Sequence, residues 1–272
     1  MDSRKLERIL IAIALLLNLF LLSVVLLDSV QARRSARETA ASLTALLEES
    51  GIAAEPGAVA LRAAPQGYTL VRDMAAEQRI VTKLIGKTAP SDQGGNILFY
   101  AGEKGQAQCR GSGETDVLFE PGAVPLQRNM QRAAARVLRR AGLSVAPAAS
   151  AAGKDETDFY CTLDGYPVYN AVLHLDTLDG SAYMLTGTRI FDAATAAESD
   201  GLLDSVTVLI RFLEIVRAEG YICSRVVSVE PGYLQSVTRS GEAELAPVWR
   251  IVTDTGTLMI DAESGKAVDR LS

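Results

Sequence analysis

The chain has 272 residues, 48% of them apolar and 22% charged, and a formal net charge of −6. That length holds one large or two small domains beside a membrane segment. Within residues 1–32 the basic Arg4, Lys5 and Arg8 cancel the acidic Asp2, Glu7 and Asp28, so the acidity belongs to the remainder and argues against nucleic acid as the main partner.

Ile9 to Leu27, ILIAIALLLNLFLLSVVLL, is 19 residues without a charge. As a helix it reaches roughly 28 Å, enough to cross a bilayer core of about 30 Å. A signal peptide has a shorter apolar core, about 7–15 residues, and then a small-x-small cleavage site. Val30-Gln31-Ala32 is a passable site, so cleavage is the alternative to a retained anchor. Arg4, Lys5 and Arg8 before the segment match Arg33, Arg34 and Arg37 after it, and the positive-inside count is a tie apart from the N-terminal amine. Long C-terminal domains translocate largely regardless of nearby charge, so the short head is placed in the cytoplasm and the rest outside, as a single-pass protein of the cell membrane. Asn18 sits mid-helix, where an amide in hydrocarbon seeks a partner: a second membrane helix, its own backbone, or a water.

Beyond the anchor, four segments carry apolar residues at three- and four-residue spacing and end near a glycine: Ser35 to Ser50, Asp73 to Ile85, Pro125 to Ala141, and Leu202 to Glu219. Each reads as a helix with one buried face and a glycine suited to the left-handed position past its end. Asp73 and Asp200 are candidate N-caps. Between them lie strand runs bounded by turn residues. Gly95 to Glu120 contains NILFYAG, QAQCRG and TDVLFE, and Asp158 to Phe191 contains DFYCTLDG, YPVYNAVLHLD and AYMLTGTRIF. Tyr221 to Val268 reads as a strand, a loop near Pro231-Gly232, a strand over YLQSVTR, and a closing hairpin over Leu245 to Asp269. Helices followed by hairpins, without βαβ alternation, give an α+β class with antiparallel sheets. The expected organisation is a head and transmembrane anchor over 1–32, a first helix-plus-sheet domain over 33–121, and a second over 122–272, with the boundary near Pro121-Gly122. The two domains form a loose duplication. Ser144 to Thr157, small and Pro-containing, reads as a mobile loop inside the second domain or as the linker.

Chemistry is sparse. The single histidine, His174, lies mid-strand in AVLHLD, and no CxxC, HExxH or His pair is present, so neither a metal nor another cofactor is expected. Asp176 and Asp179 in DTLDGS are ordinary hairpin-turn residues, which leaves them, with Asp192, a poor carboxylate site. GSGE, Gly111 to Glu114, precedes a strand and is a turn rather than a phosphate loop. Of Cys109, Cys161 and Cys223, the last two share a proposed domain; three free thiols are the simpler reading and a Cys161–Cys223 pair the alternative. Arg128, Arg132, Arg136 and Arg139/Arg140 fall along one face of the third helix. Such a face is either solvated or a contact for an acidic partner or anionic polymer on an otherwise acidic protein.

The basic head MDSRKLERI, the apolar LLLNLFLL around Asn18, and LAPVWRIVTDTGTLMIDAESGKAVD at the far end resemble the YycH/YycI family; the length is that of its shorter, YycI-like members. The resemblance implies a non-enzymatic, single-pass membrane protein that regulates a WalK-type sensor histidine kinase of a cell-wall-controlling two-component system. It implies that kinase and a YycH-like paralogue as partners within the lipid membrane. On this reading Asn18, Trp249, Arg128, Arg132 and Arg136 are the candidate protein-contact residues. Trp249 fills either a sheet–helix core or an interface, where a large rigid ring contributes strongly. The terminal hairpin also resembles the strand pair of PepSY modules, which makes an extracytoplasmic peptidase inhibitor or binding module the alternative. A wall hydrolase is a third reading and needs a carboxylate pair in a cleft.

Overall fold

The computed structural model describes residues 35, 37–126, 129–148, 155–191, 193–197, 201–237 and 242–271. The apolar segment with Asn18 lies outside these residues, as do Arg128 and Asp200. No helix among the described residues is long and apolar enough to cross a membrane.

The first helix, α1, runs over 37–49. Its Leu43 and Leu47 are buried, and past Gly51, at φ 79°, Ile52 turns back to donate to Leu47 O at 2.9 Å. Helix α2 spans Met74–Ile85, with Asp73 accepting from the amides of Ala75 and Ala76. Helix α3, Met130–Ala141, begins later than the sequence pattern suggests, capped by Asn129. The preceding residues are taken by the sheet: Leu126 N donates to Gly180 O and Ala182 N to Val124 O. Helix α4, Ser205–Glu219, is capped by Asp204. Leu203 is held extended before it, donating to Ala262 O and accepting from the Trp249 indole.

Among the described residues, fifteen strands form one mixed sheet. In chain order they are β1 (Ala53–Ala54), β2 (Tyr68–Val71), β3 (Pro90–Asp92), β4 (Ile97–Gly102), β5 (Gly105–Arg110), β6 (Glu114–Phe119), β7 (Val145–Pro147) and β8 (Glu156–Leu163). There follow β9 (Tyr166–Leu178), β10 (Ser181–Thr188), β11 (Ala193–Ala196), β12 (Arg225–Val237), β13 (Ala243–Thr253), β14 (Thr257–Asp261) and β15 (Ala267–Leu271). The main path is β11-β2-β13-β12-β9-β10-β6-β5-β4-β3. Among the described residues, only β1·β12 and the single Tyr233↔Val168 bridge between β12 and β9 are parallel.

A helix followed by four antiparallel strands occurs three times: α2 with β3–β6, α3 with β7–β10, and α4 with β12–β15. The sheet runs across Pro121-Gly122 without a break, because β6 pairs with β10 and β2 with β13. A first core gathers α2, α3 and the strands beneath them; a second gathers α1, α4 and the β13–β14 hairpin. Chain 37–59 therefore shares its core with chain 202–262 rather than with the strands of the first half.

Two local expectations are corrected. Val145–Pro147 is a strand on β8, not part of a loop. The loop expected at Pro231-Gly232 is absent, because β12 runs through it for 13 residues. Proline lacks the donor of a strand interior, but beside Pro231 the strand meets a ring rather than a backbone: Tyr169 Oη donates to Glu230 O and Pro231 O at 3.2 and 3.3 Å. A Cβ on Gly232 would lie 2.5 Å from that ring and 2.6 Å from Pro167 O, so only glycine admits the approach. Lower on the same edge, the Asn170 amide stands in for a strand, accepting from Gln235 N and donating to Gln235 O.

Successive side chains of a strand face opposite ways. Along β13, Leu245, Trp249 and Ile251 enter the helix-covered cores, while Val248 joins Tyr169 and Met259 in a small cluster on the other face.

Candidate interaction surface

Arg132, Arg136 and Arg139 are exposed on α3. They recur at four and three residues, which keeps them on one face of a helix of 3.6 residues per turn. The opposite face, Ala134, Leu138 and Ala141, is buried against the sheet. Past Gly142, in the left-handed region at φ 111°, the chain reverses into β7 and brings Pro147 alongside α3. Gln131, Arg132, Ala135, Arg136, Arg139 and Pro147 then line a groove of about 280 Å³.

Two of the guanidinium groups are held in place. Arg139 donates from Nε and Nη2 to Val145 O at 3.3 and 2.9 Å, and Arg136 Nε donates to Arg132 O at 3.3 Å. Among the described residues, no carboxylate forms an ion pair with Arg132, Arg136, Arg139 or Arg140. These four arginines, without carboxylate partners among the described residues, form a local positive field able to attract and orient an anion.

Trp249 is elsewhere. It is fully buried in the second core, and its Nε1 donates to Leu203 O at 2.9 Å. It therefore takes the core role of the two considered, tying β13 to the start of α4, and its ring presents no surface to a partner. The structure brings Arg132 and Arg136 together with Arg139 and does not bring Trp249 to them. Asn18 and Arg128 lie outside the described residues.

The buried charges of the first core are engaged internally. Glu77 is 0% exposed on α2 and binds three elements. Arg72, just after β2, donates to it from Nε and Nη2 at 2.9 Å; Tyr100 Oη of β4 donates at 2.9 Å; Arg189, just after β10, donates from Nη2. Burial alone would raise the Glu77 carboxyl, but the Arg72 hydrogen bonds, the Arg189 charge and the Tyr100 hydroxyl hold it below its ordinary value. Sequence reasoning missed this group. Its one signal was a carboxylate in helical phase with Ile80, Val81 and Leu84. On the uncovered sheet face, Arg250 stacks over Tyr169 with 4.7 Å to the ring centroid and pairs with Glu230 at 2.8 Å.

Other candidates from the sequence carry little. His174 Nδ1 lies 2.8 Å from Asp158 Oδ1 on the exposed side of β9. Asp179 holds the β9–β10 turn at φ 50°, and no group of three His, Cys, Asp or Glu placed to hold a metal occurs among the described residues. A cavity of about 500 Å³ between the β8–β9 turn and β12 is lined by one carboxylate, Glu230, which pairs with Arg250. All three cysteines are free; Cys161 lies in the first core and Cys223 against the second, which excludes their pairing here. Burial pushes the Cys109 and Cys161 thiols up to about 11, away from the reactive thiolate form.

No protein-family model matches the chain, and no curated protein matches it. Among solved structures it is similar to an uncharacterized protein from Eubacterium rectale ATCC 33656, at 9% identity over 80% of this chain and 89% of that one, with a TM-score of 0.47. The Bacillus megaterium YpeB C-terminal domain is a second structural neighbour, at 13% identity over 75% of this chain and 99% of that domain, with a TM-score of 0.40. At these identities and TM-scores neither likeness carries an argument about function.

Proposed function

We propose that the protein is a membrane-anchored, non-enzymatic regulator that works by contact with other proteins, and that its partner is a sensor histidine kinase of the WalK type. The observation that carries the contact reading is the α3 groove: its arginines lack carboxylate partners among the described residues, whereas the buried charges of the first core are engaged in folding. The choice of kinase rests on the resemblance of the two chain ends to the YycH/YycI family.

This reading requires an uncleaved anchor with the folded part outside the cell. Protease added to intact protoplasts is expected to remove the chain beyond Gln31; full protection contradicts the topology.

It also gives Asn18 a task. In lipid there is no hydrophobic drive between helices, so packing and interhelical hydrogen bonds hold a complex together. Asn18 is the sole side chain between Ile9 and Leu22 able to make such a bond. One bond of this kind is worth about 0.6–2 kcal/mol, a factor of roughly 3–30 in association. Asn18→Leu is expected to weaken co-purification with the kinase by that factor while membrane insertion is unchanged. Equal recovery from the two proteins would reduce the anchor to a tether. Recovery of a secreted peptidase in place of a kinase would favour the PepSY-like reading.

A further inference from the structure

We infer that the α3 groove is a docking site for an extended peptide segment of a partner protein, one that alternates acidic and apolar side chains. The inference rests on the contact reading above, but not on which protein is the partner.

The groove has two unlike walls. One is α3 itself, where Arg132, Arg136 and Arg139 surround the small Ala135. The other is Pro147 at the end of β7. Arg132 and Arg136 are four residues apart, a rise of about 6 Å along the helix. In an extended peptide, side chains on the same side recur every two residues, about 6.6 Å. Two carboxylates at that spacing meet two guanidinium groups in register, and the intervening side chains point to the opposite wall, where Pro147 offers an apolar contact. Arg139 lies a further 4.5 Å or so along the axis and supplies a third cation at the end of the run.

The arginine side chains suit the task. A guanidinium binds a carboxylate through a planar fork with paired hydrogen bonds. Val145 O already fixes Arg139, and Arg132 O fixes Arg136, so part of the ordering cost of binding is met before the ligand arrives. The apolar elements decide between classes of anion. A phosphate polymer is charged at every repeat and gains nothing from Ala135 or Pro147, whereas an acidic–apolar alternation uses both walls.

The probe is a capped hexapeptide of alternating aspartate and leucine, titrated calorimetrically into the full-length protein in detergent micelles. Saturable binding is expected, falling as salt rises. The double substitution Arg132→Gln with Arg136→Gln is expected to weaken it by about tenfold or more, with the unfolding midpoint unchanged because both side chains are exposed. The peptide with asparagine in place of aspartate is expected not to bind. The inference is overturned by an absence of binding, by affinity that survives the double substitution, or by inorganic polyphosphate displacing the peptide at lower molar concentration.

Discussion

Replacing Glu77 by glutamine is expected to destabilise the fold by about 3–5 kcal/mol, the usual cost of removing one partner from a buried ion cluster. Arg189 and Arg72 have side chains only 3% and 8% exposed, so the substitution takes a carboxylate charge away from two guanidinium groups that water hardly reaches. For a domain of this size the midpoint of thermal unfolding would fall by roughly 10 °C. The pH dependence separates the charge from the packing. Glu77 titrates below its ordinary 4.5 in the fold, so the unfolded chain binds its proton first as pH falls. Its contribution is therefore complete above about pH 5 and disappears as pH drops through the folded value. The gap between the natural protein and Glu77→Gln should be constant at neutral pH and shrink below about 4.5. A gap that persists undiminished into acid would assign the effect to shape rather than charge.

Trp249→Ala is the second large effect, about 3–5 kcal/mol from lost burial and the cavity left behind. The ring is fully buried among the side chains of α1, α4 and β14, and its indole N–H is the donor that holds Leu203 O. Trp249→Phe keeps most of the ring but leaves that carbonyl without its partner, and should cost about 1–3 kcal/mol. Because the second core joins chain 37–59 to chain 202–262, the alanine variant should loosen α1 as well as the terminal hairpin. Hydrogen exchange that rises over α4 and β13–β14 while α1 stays protected would contradict this coupling.

The local elements were legible because they obey short periods. The α2 cap at Asp73, the β4–β5–β6 meander and the terminal hairpin with turns at Gly256 and Gly265 follow from apolar spacing and turn residues. What stayed hidden is long-range. A start for α3 at Pro125 was reasonable from periodicity, but Val124 and Leu126 are claimed by an edge partner some 55 residues away. The Pro231-Gly232 pair reads locally as a breaker, yet a tyrosine from another strand makes that sequence fit β12. Which segments share a core was hidden too: Leu43, Leu47 and Ile52 pack with Val208, Phe212 and Trp249, far along the chain, and no local period announces that.

The interaction surface was half legible. Arginines at four-residue spacing predicted one charged face, and Arg132 and Arg136 do share it. That the face is one wall of a groove depends on β7 folding back along α3, which a Pro-containing stretch of small residues does not announce. Trp249 was ambiguous for a physical reason: a large ring contributes comparably to a core and to an interface, and only burial decides between them.

The central claim is that this protein regulates a sensor kinase by binding it. Affinity purification of the intact, tagged protein from gently solubilised membranes of its own cells, read by quantitative mass spectrometry, tests it most directly. The account predicts a sensor histidine kinase recovered in near-stoichiometric amount, together with a second single-pass protein of the YycH type. Kinase at background level in a preparation that retains other membrane partners would contradict it.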